Sequence, residues 1–379
     1  MIVKKINQLK KISLNVNYIP LKNNLLKEKI SLQDINYSDF LDIFERKTYQ
    51  LNRKLLSKFK GKSILVTGAA GSIGTAICSK LKDLKTKKII ALDKSEIGIY
   101  NLKNSFNNKN IKYILGDINR KSILENIERR YNIDLVFHTA AYKHLNILED
   151  NICEAVRNNI FGTLNLINVF KKKKLIIIST DKAVKPKSIL GLTKRISEIA
   201  SLNYSEKSSK IIVVRFGNVF ASQGSAINLF LDQIKSGGPV TLTNKNVERY
   251  FMSSGEAANL VLQGSQLSEN RKVLVLDMGK PVKLIKIVKK LIKTQQLESP
   301  DHSVRIKYIG LKKGERLKEN LFFNKIKRST SHKNILIADE PKYNANSTEY
   351  LLQKLKRHLN NYDDKNILKE MKKFLKYEL

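Results

Sequence analysis

The sequence predicts an α/β fold, a Rossmann-like doubly wound parallel sheet with a smaller interleaved C-terminal substrate-binding domain. Two observations carry this expectation. From residue 61 to about 215, short continuous apolar runs alternate with amphipathic stretches, as strands buried on both faces alternate with crossover helices. The first of these runs ends in a glycine loop, Thr67-Gly-Ala-Ala-Gly-Ser-Ile-Gly74, that opens a helix with apolar residues at Ile73, Ala76, Ile77, Leu81 and Leu84.

The elements follow in order. Residues 1–60 carry no strand signal and read as an N-terminal helical extension, with Ser38 to Lys47 as a helix feeding the main domain. The strand candidates are Ser63-Ile-Leu-Val-Thr, Ile89-Ile-Ala-Leu-Asp, Tyr113-Ile-Leu-Gly-Asp, Leu135-Val-Phe-His, Leu175-Ile-Ile-Ile-Ser and Ile211-Ile-Val-Val-Arg, all within a nucleotide-binding domain at 61–215. After 216 the rhythm breaks at Ser222-Gln-Gly-Ser and Ser236-Gly-Gly-Pro, which marks a ligand-binding region over 216–345. Within it, residues 272–280 are expected to return to the sheet. The tail, 346–379, reads as two amphipathic helices.

Composition bounds the function. The chain has 379 residues, of which 42% are hydrophobic, enough for a packed core. Its 71 Lys+Arg against 34 Asp+Glu give a net charge of +37. The lysines are spread along the whole chain without aromatic interleaving, so they read as a solvated surface rather than a nucleic-acid platform. Two cysteines, Cys78 and Cys153, fit a reducing compartment and no disulfide scaffold. No apolar run approaches the roughly 18–20 residues of a membrane helix, and the N-terminus lacks a signal-peptide pattern. The expectation is a cytoplasmic protein with no integral membrane segment and no metal site.

The glycine loop points to a dinucleotide. Gly68, Gly71 and Gly74 allow a tight turn, and Ser72 and Ile73 start the helix whose N-terminus can face a pyrophosphate. Asp93 ends the second strand, nineteen residues after Gly74, where a carboxylate suits the hydroxyls of an adenosine ribose. A carboxylate there repels a 2′-phosphate and favours NAD, while the adjacent Lys94 keeps NADP open. Asp117 and Ile118 end the third strand; the acid serves either an adenine amino group or a turn. Ala140 and Ala141, small residues after the fourth strand, let a cofactor lie over the strand ends. The fifth strand closes on Thr180-Asp181-Lys182. A hydroxyl, a carboxylate and an amine there form an acid/base set facing the ligand crevice. Free Asp titrates near ~3.9 and free Lys near ~10.4, so work near neutral pH requires their surroundings to shift them.

Further motifs accompany these. They are Phe137-His-Thr-Ala-Ala-Tyr-Lys-His144, Asn159-Ile-Phe-Gly-Thr163, Ser179-Thr-Asp-Lys-Ala-Val184 and Val214-Arg-Phe-Gly-Asn-Val219. Gly237-Gly-Pro-Val-Thr-Leu-Thr243, Arg249-Tyr-Phe-Met252 and Tyr308-Ile-Gly-Leu-Lys-Lys-Gly-Glu-Arg-Leu317 follow. With them the chain resembles the extended short-chain dehydrogenase/reductases. Within these it is most similar to the capsular-polysaccharide-type UDP-N-acetylglucosamine 4,6-dehydratases, in their soluble form and nearest the retaining branch.

The resemblance implies an NAD(P)-dependent lyase of surface polysaccharide biosynthesis. Tightly bound NAD, or NADP, takes hydride from C4 of a UDP-hexose and returns it to C6 after water is lost across C5 and C6, so that the cofactor is regenerated. It implies Asp181 as acid for the 6-hydroxyl, Lys182 as C5 base, Thr180 orienting the C4 hydroxyl, and Lys194 holding the nicotinamide ribose. Lys143 and His144 would line the sugar pocket. Asn218, Arg249 and Glu315 would contact the uridine diphosphate or shape its pocket. A homo-oligomer is also implied. Relatives of this build carry a Tyr four residues before the Lys; here that position is Leu190, which carries no proton, so either another group does that work or catalysis is lost. Lys185, Gln223, Asn228, Lys312 and Lys313 also depart from the family pattern. The alternatives are a UDP-sugar 4-epimerase, which needs no acid at C6, and a catalytically silent NAD-binding homologue.

Overall fold

The computed structural model describes residues 53–203, 210–298, 304–324 and 327–377. The helix expected over Ser38 to Lys47, and most of the extension expected over 1–60, lie outside them.

Nine strands form the main sheet: β1 (Ser63–Thr67), β2 (Lys88–Asp93), β3 (Ile111–Leu115), β4 (Leu135–His138), β5 (Lys174–Thr180), β6 (Lys210–Phe216), β7 (Lys272–Leu276), β8 (Lys327–Ser329) and β9 (Ile335–Ala338). Their spatial order is β3-β2-β1-β4-β5-β6-β7-β9-β8. The strands from β3 to β7 run parallel; β9 pairs antiparallel with β7 and with β8. This is the Rossmann-like doubly wound sheet. Chain order reverses between β1 and β4, and in a sheet of this kind ligands bind beyond the carboxyl ends of the strands at such a point.

The apolar runs make this sheet because alternate residues supply two cores. Leu65, Ile90, Val136, Leu175, Ile177 and Val213 face one, and Ile64, Val66, Ile89, Phe137, Ile176 and Val214 face the other. Each such side chain contributes roughly 1.5–3 kcal/mol by leaving water. A third, smaller apolar cluster, built on Phe230, Val240, Leu242, Phe251, Ile287 and Leu291, lies in the chain between Phe220 and Ile292.

Short ribbons gather the C-terminal residues around the crevice. Asn218–Val219 pairs with Phe251–Met252, Glu248–Arg249 with Val282–Lys283, and Val240–Leu242 with Ile306–Tyr308. The helix Ile189–Asn203 is buried at every position from Ile189 to Ser201, because it is enclosed by β5 and β6, by the segments over 145–169, and by helices Ala345–Asn360 and Asp364–Tyr377. No helix among the described residues is long and apolar enough to cross a membrane.

Candidate active site

The glycine loop leaves β1 and enters helix α1 (Ser72–Leu81). Gly68 sits at φ +66, and a Cβ there would lie 2.6 Å from the Ala140 backbone, so only glycine lets the β1 and β4 loops approach this closely. A Cβ on Gly74 would lie 2.2 Å from the Gly68 carbonyl oxygen. Gly71 caps α1 without a side-chain hydrogen bond, which leaves first-turn N–H groups available to an anion. Asp93 accepts from the Ala70 N–H at 3.0 Å and the Ser95 N–H at 2.9 Å, one on each oxygen, and each oxygen keeps a lone pair for a ribose hydroxyl. Loop, uncapped helix end and carboxylate together fit a dinucleotide.

The neighbouring candidates divide. Lys94 folds onto Tyr142, with its ammonium 3.8 Å from the ring centre and in contact with the hydroxyl. Asp117 accepts from both the N–H and the side-chain amide of Asn119 at 2.9 Å, so this acid builds a turn. Ile118 is buried beneath Gly162, where a Cβ would meet it at 2.7 Å. Ala140 and Ala141 are half-buried on the rim.

A hydrogen-bonded layer supports this rim. The π-turn Arg157–Phe161 aims Asn159 at the β4 loop, where it accepts from the Tyr142 N–H at 2.9 Å and donates to the Tyr142 carbonyl at 3.1 Å. His138 bridges Thr67 at 2.8 Å and Thr163 at 2.9 Å; burial, helped by the charge of Lys194, pushes it down to about 3. The Lys194 ammonium donates to the Ile178 carbonyl at 2.6 Å. Its burial lowers it to about 8, against the pull of Glu198.

The end of β5 places Thr180, Asp181 and Lys182 together. Asp181 is fully buried; its Oδ1 accepts from the Thr180 hydroxyl at 2.9 Å and the Lys182 ammonium at 3.0 Å. Lys182 also donates to Asn218 Oδ1 at 3.0 Å. Asp181 Oδ2 is buried without a partner. A Cβ on Gly217 would lie 3.1 Å from that oxygen and 2.9 Å from Tyr250 Cβ, so this glycine keeps space beside the carboxylate. Leu190 is packed in the core and offers no proton-carrying group.

Arg249 and Glu315 meet each other. Their side chains pair at 3.1 Å, and Arg249 further donates to the carbonyls of Glu248 at 2.8 Å and Leu317 at 3.2 Å. Glu315 also accepts from the Thr243 hydroxyl at 3.0 Å. Lys143 and His144 reach a different loop, Ser222 to Ser225. Lys143 donates to the Gln223 carbonyl at 2.6 Å, and a Cβ on Gly224 would lie 2.3 Å from the His144 ring. Burial lowers both side chains, and for His144 the charge of Lys143 adds to this. The Gln223 N–H in turn donates to Ser72 Oγ at 3.1 Å, so this loop lies against the start of α1.

One residue of the site has no counterpart among the sequence candidates. Glu319 is 7% exposed, and its Oε2 is buried without a hydrogen-bond partner. The cation paired with it, Arg316, lies 4.0 Å away and donates to the Val184 carbonyl at 3.0 Å. Burial pushes Glu319 up; Lys182, Arg249 and Arg316 oppose this and Asp181 adds to it. Only its spacing of three from Arg316 marks it in the sequence, and in a chain with 71 Lys+Arg such a spacing is a faint signal.

Comparison with known proteins places the chain in a family. Residues 64–340 match the family described as polysaccharide biosynthesis protein. The capsular polysaccharide biosynthesis protein CapD of Staphylococcus aureus is 35% identical over 97% of this chain and 63% of its own length, so the chain spans less than two thirds of that relative. The structure of Pen from Bacillus thuringiensis is similar with a TM-score of 0.67 at 32% identity, covering 75% of this chain and 90% of that one. DesIV of Streptomyces venezuelae, a dTDP-glucose 4,6-dehydratase solved with NAD and TYD bound, shares the fold at TM-score 0.60 and 19% identity over 68% of this chain and 88% of its own. This chain belongs to the polysaccharide biosynthesis protein family.

Proposed function

We propose that the protein is a nucleotide-sugar 4,6-dehydratase acting on UDP-N-acetylglucosamine or a close UDP-hexose. The observation that carries this reading is the end of β5, where Asp181 and Lys182 form a buried pair with one carboxylate oxygen unpartnered. A nicotinamide dinucleotide on the glycine loop would supply reversible hydride chemistry, with Gly68, Gly71, Gly74 and Asp93 holding it and Lys194 at its ribose. Once C4 is a ketone, the C5 proton becomes acidic. Lys182, in its amine form, then takes that proton, Asp181 delivers one to the departing 6-hydroxyl, and Thr180 orients the C4 hydroxyl. A 4-epimerase would have no use for an acid at C6, whereas Asp181 Oδ2 is a carboxyl oxygen left open inside the protein.

Arg249 and Glu315 act here as a preformed pair that shapes the nucleotide pocket, since the guanidinium is already engaged. Asn218 steers Lys182, and Lys143 and His144 act through the Ser222 to Ser225 loop. The resemblance behind this reading also suggests a homo-oligomer working in the cytoplasm. The test is incubation of the protein with NAD and UDP-N-acetylglucosamine in deuterated water, followed by mass spectrometry and NMR. The expected product has lost one water and carries deuterium at C5. A product of unchanged elemental composition would make the protein an epimerase, and unaltered substrate would refute both.

A further inference from the structure

We propose that Glu319 is a second carboxyl of this site and stores the proton that leaves with the 6-hydroxyl. This rests on the dehydratase reading and deepens it.

The geometry comes first. The segment from Glu315 to Glu319 is threaded between two anchors. Arg249 and the Glu248 N–H hold the Leu317 carbonyl, the latter at 2.8 Å, while Arg316 reaches the Val184 carbonyl just beyond Lys182. Glu319 is thereby delivered, more than nine-tenths buried, to the neighbourhood of Lys182, Asp181 and Arg249. Asp181 Oδ2 and Glu319 Oε2 are both buried carboxyl oxygens without a partner. An orphaned buried carboxyl oxygen costs on the order of 1–3 kcal/mol, more if charged, so two at one site signal groups kept for a ligand.

The two carboxyls differ in what they already hold. Oδ1 of Asp181 receives the Thr180 hydroxyl and the Lys182 ammonium. Glu319 Oε2 receives no donor, and Arg316 stands off at 4.0 Å. Carboxyls that share one buried site favour a single shared proton. Glu319, which has no donor within hydrogen-bond reach of Oε2 and which burial pushes up, is the one the proposal gives it to.

Proton accounting closes on this arrangement. Oxidation at C4 releases the O4 proton and, as hydride, the C4 hydrogen with its electron pair, which the nicotinamide of the proposed reading would accept and later give back to C6. Elimination removes the C5 proton to Lys182, breaks the C6–O6 bond and needs one proton at O6, which leaves as water. The electron pair then forms the new C6–H bond, and Lys182 returns its proton to C5. One proton is released at O4 and one is consumed at O6, so a carboxyl pair that starts with one proton ends with one. The Thr180 hydroxyl, bonded to Asp181, offers the route by which the O4 proton refills the pair, and no group at position 190 is then required.

Glu319→Gln, Asp181→Asn and Glu315→Gln are compared with the unaltered protein in two measurements. The first, independent of turnover, is infrared spectroscopy at neutral pH. A protonated-carboxyl band is expected in the unaltered protein, lost in E319Q and retained in E315Q. Absence of the band, or its survival in E319Q, overturns the proposal. The second is water loss from UDP-N-acetylglucosamine against pH. E319Q is expected to lower it about 10²-fold, the scale of one general-acid contribution, and to remove the alkaline limb, while C5 deuterium exchange continues. An unchanged rate and pH profile in E319Q overturns the proposal with the dehydratase reading intact. No water loss in the unaltered protein overturns that reading itself, and with it the role of Glu319.

Discussion

Two clusters of charge are buried near the carboxyl ends of β5 and β6, and they are finished to different degrees. In one, Arg195 and Arg215 enclose Glu198 and Glu340. Glu198 pairs with Arg195 at 3.0 Å and Arg215 at 2.7 Å, and Glu340 with Arg215 at 2.8 Å and also with Arg195. Tyr343 accepts from Arg195 at 3.1 Å, and the Phe323 ring lies 4.2 Å from its guanidinium. No side-chain atom of these four charged residues is left unpartnered. In the other cluster, Asp181 and Glu319 each keep a bare oxygen beside Lys182 and Arg249. A buried charge is tolerated only when its hydrogen-bonding capacity is met. The first cluster is met from within the chain and ties the C-terminal segment to β6. The second is incomplete, and on the proposed reading a sugar would bring the missing partners.

The sharpest way to break this contrast is Asp181→Asn. We expect water loss to fall by about 10³-fold in a mass-spectrometric assay, while dinucleotide binding, read by fluorescence titration, is unchanged. Next in size is Glu198→Gln. It leaves two buried guanidinium groups to one carboxylate, so urea denaturation should show a loss of about 3–5 kcal/mol. Equal stability to the unaltered protein would mean that the complete cluster is not structural. The smallest effect is the pH dependence contributed by Lys194, which is buried against the Ile178 carbonyl of β5. Its folded value, about 8, is below the 10.5 of the free side chain, so the unfolded chain binds more protons between those values. Burying the charged form is a penalty fully present below pH 8 that fades as pH rises toward 10.5. The stability of the unaltered protein relative to Lys194→Met should therefore climb across that window; a flat difference would show that the ammonium is not desolvated.

Local features were legible in the sequence and distant pairings were not. The strands declared themselves because burial on both faces writes continuous apolar runs, as in Ile64 to Val66. The glycine loop was legible because its demands fall within seven residues, with Gly68 and Gly74 at approaches no other side chain permits. Asp181 and Lys182 are adjacent, so their meeting at a strand end followed from the strand alone. Arg249 and Glu315 were each marked, yet their mutual pairing spans 66 residues and nothing local encodes it. Lys143 reaches across 80 residues to Gln223, a pairing that nothing local encodes. Glu319 was invisible because its isolation from donors is a property of packing, not of spelling.

The meeting of Gln223 with Ser72 has a kinetic meaning. Ser72 belongs to the helix start that would face a pyrophosphate, and Gln223 belongs to the far half of the chain, itself held by Lys143 and, through the close passage of Gly224, by His144. The two halves are thereby joined at the start of α1. On the reading proposed above, a dinucleotide on the glycine loop would lie beside this contact, and its exchange would depend on a local opening of the Ser222 to Ser225 loop.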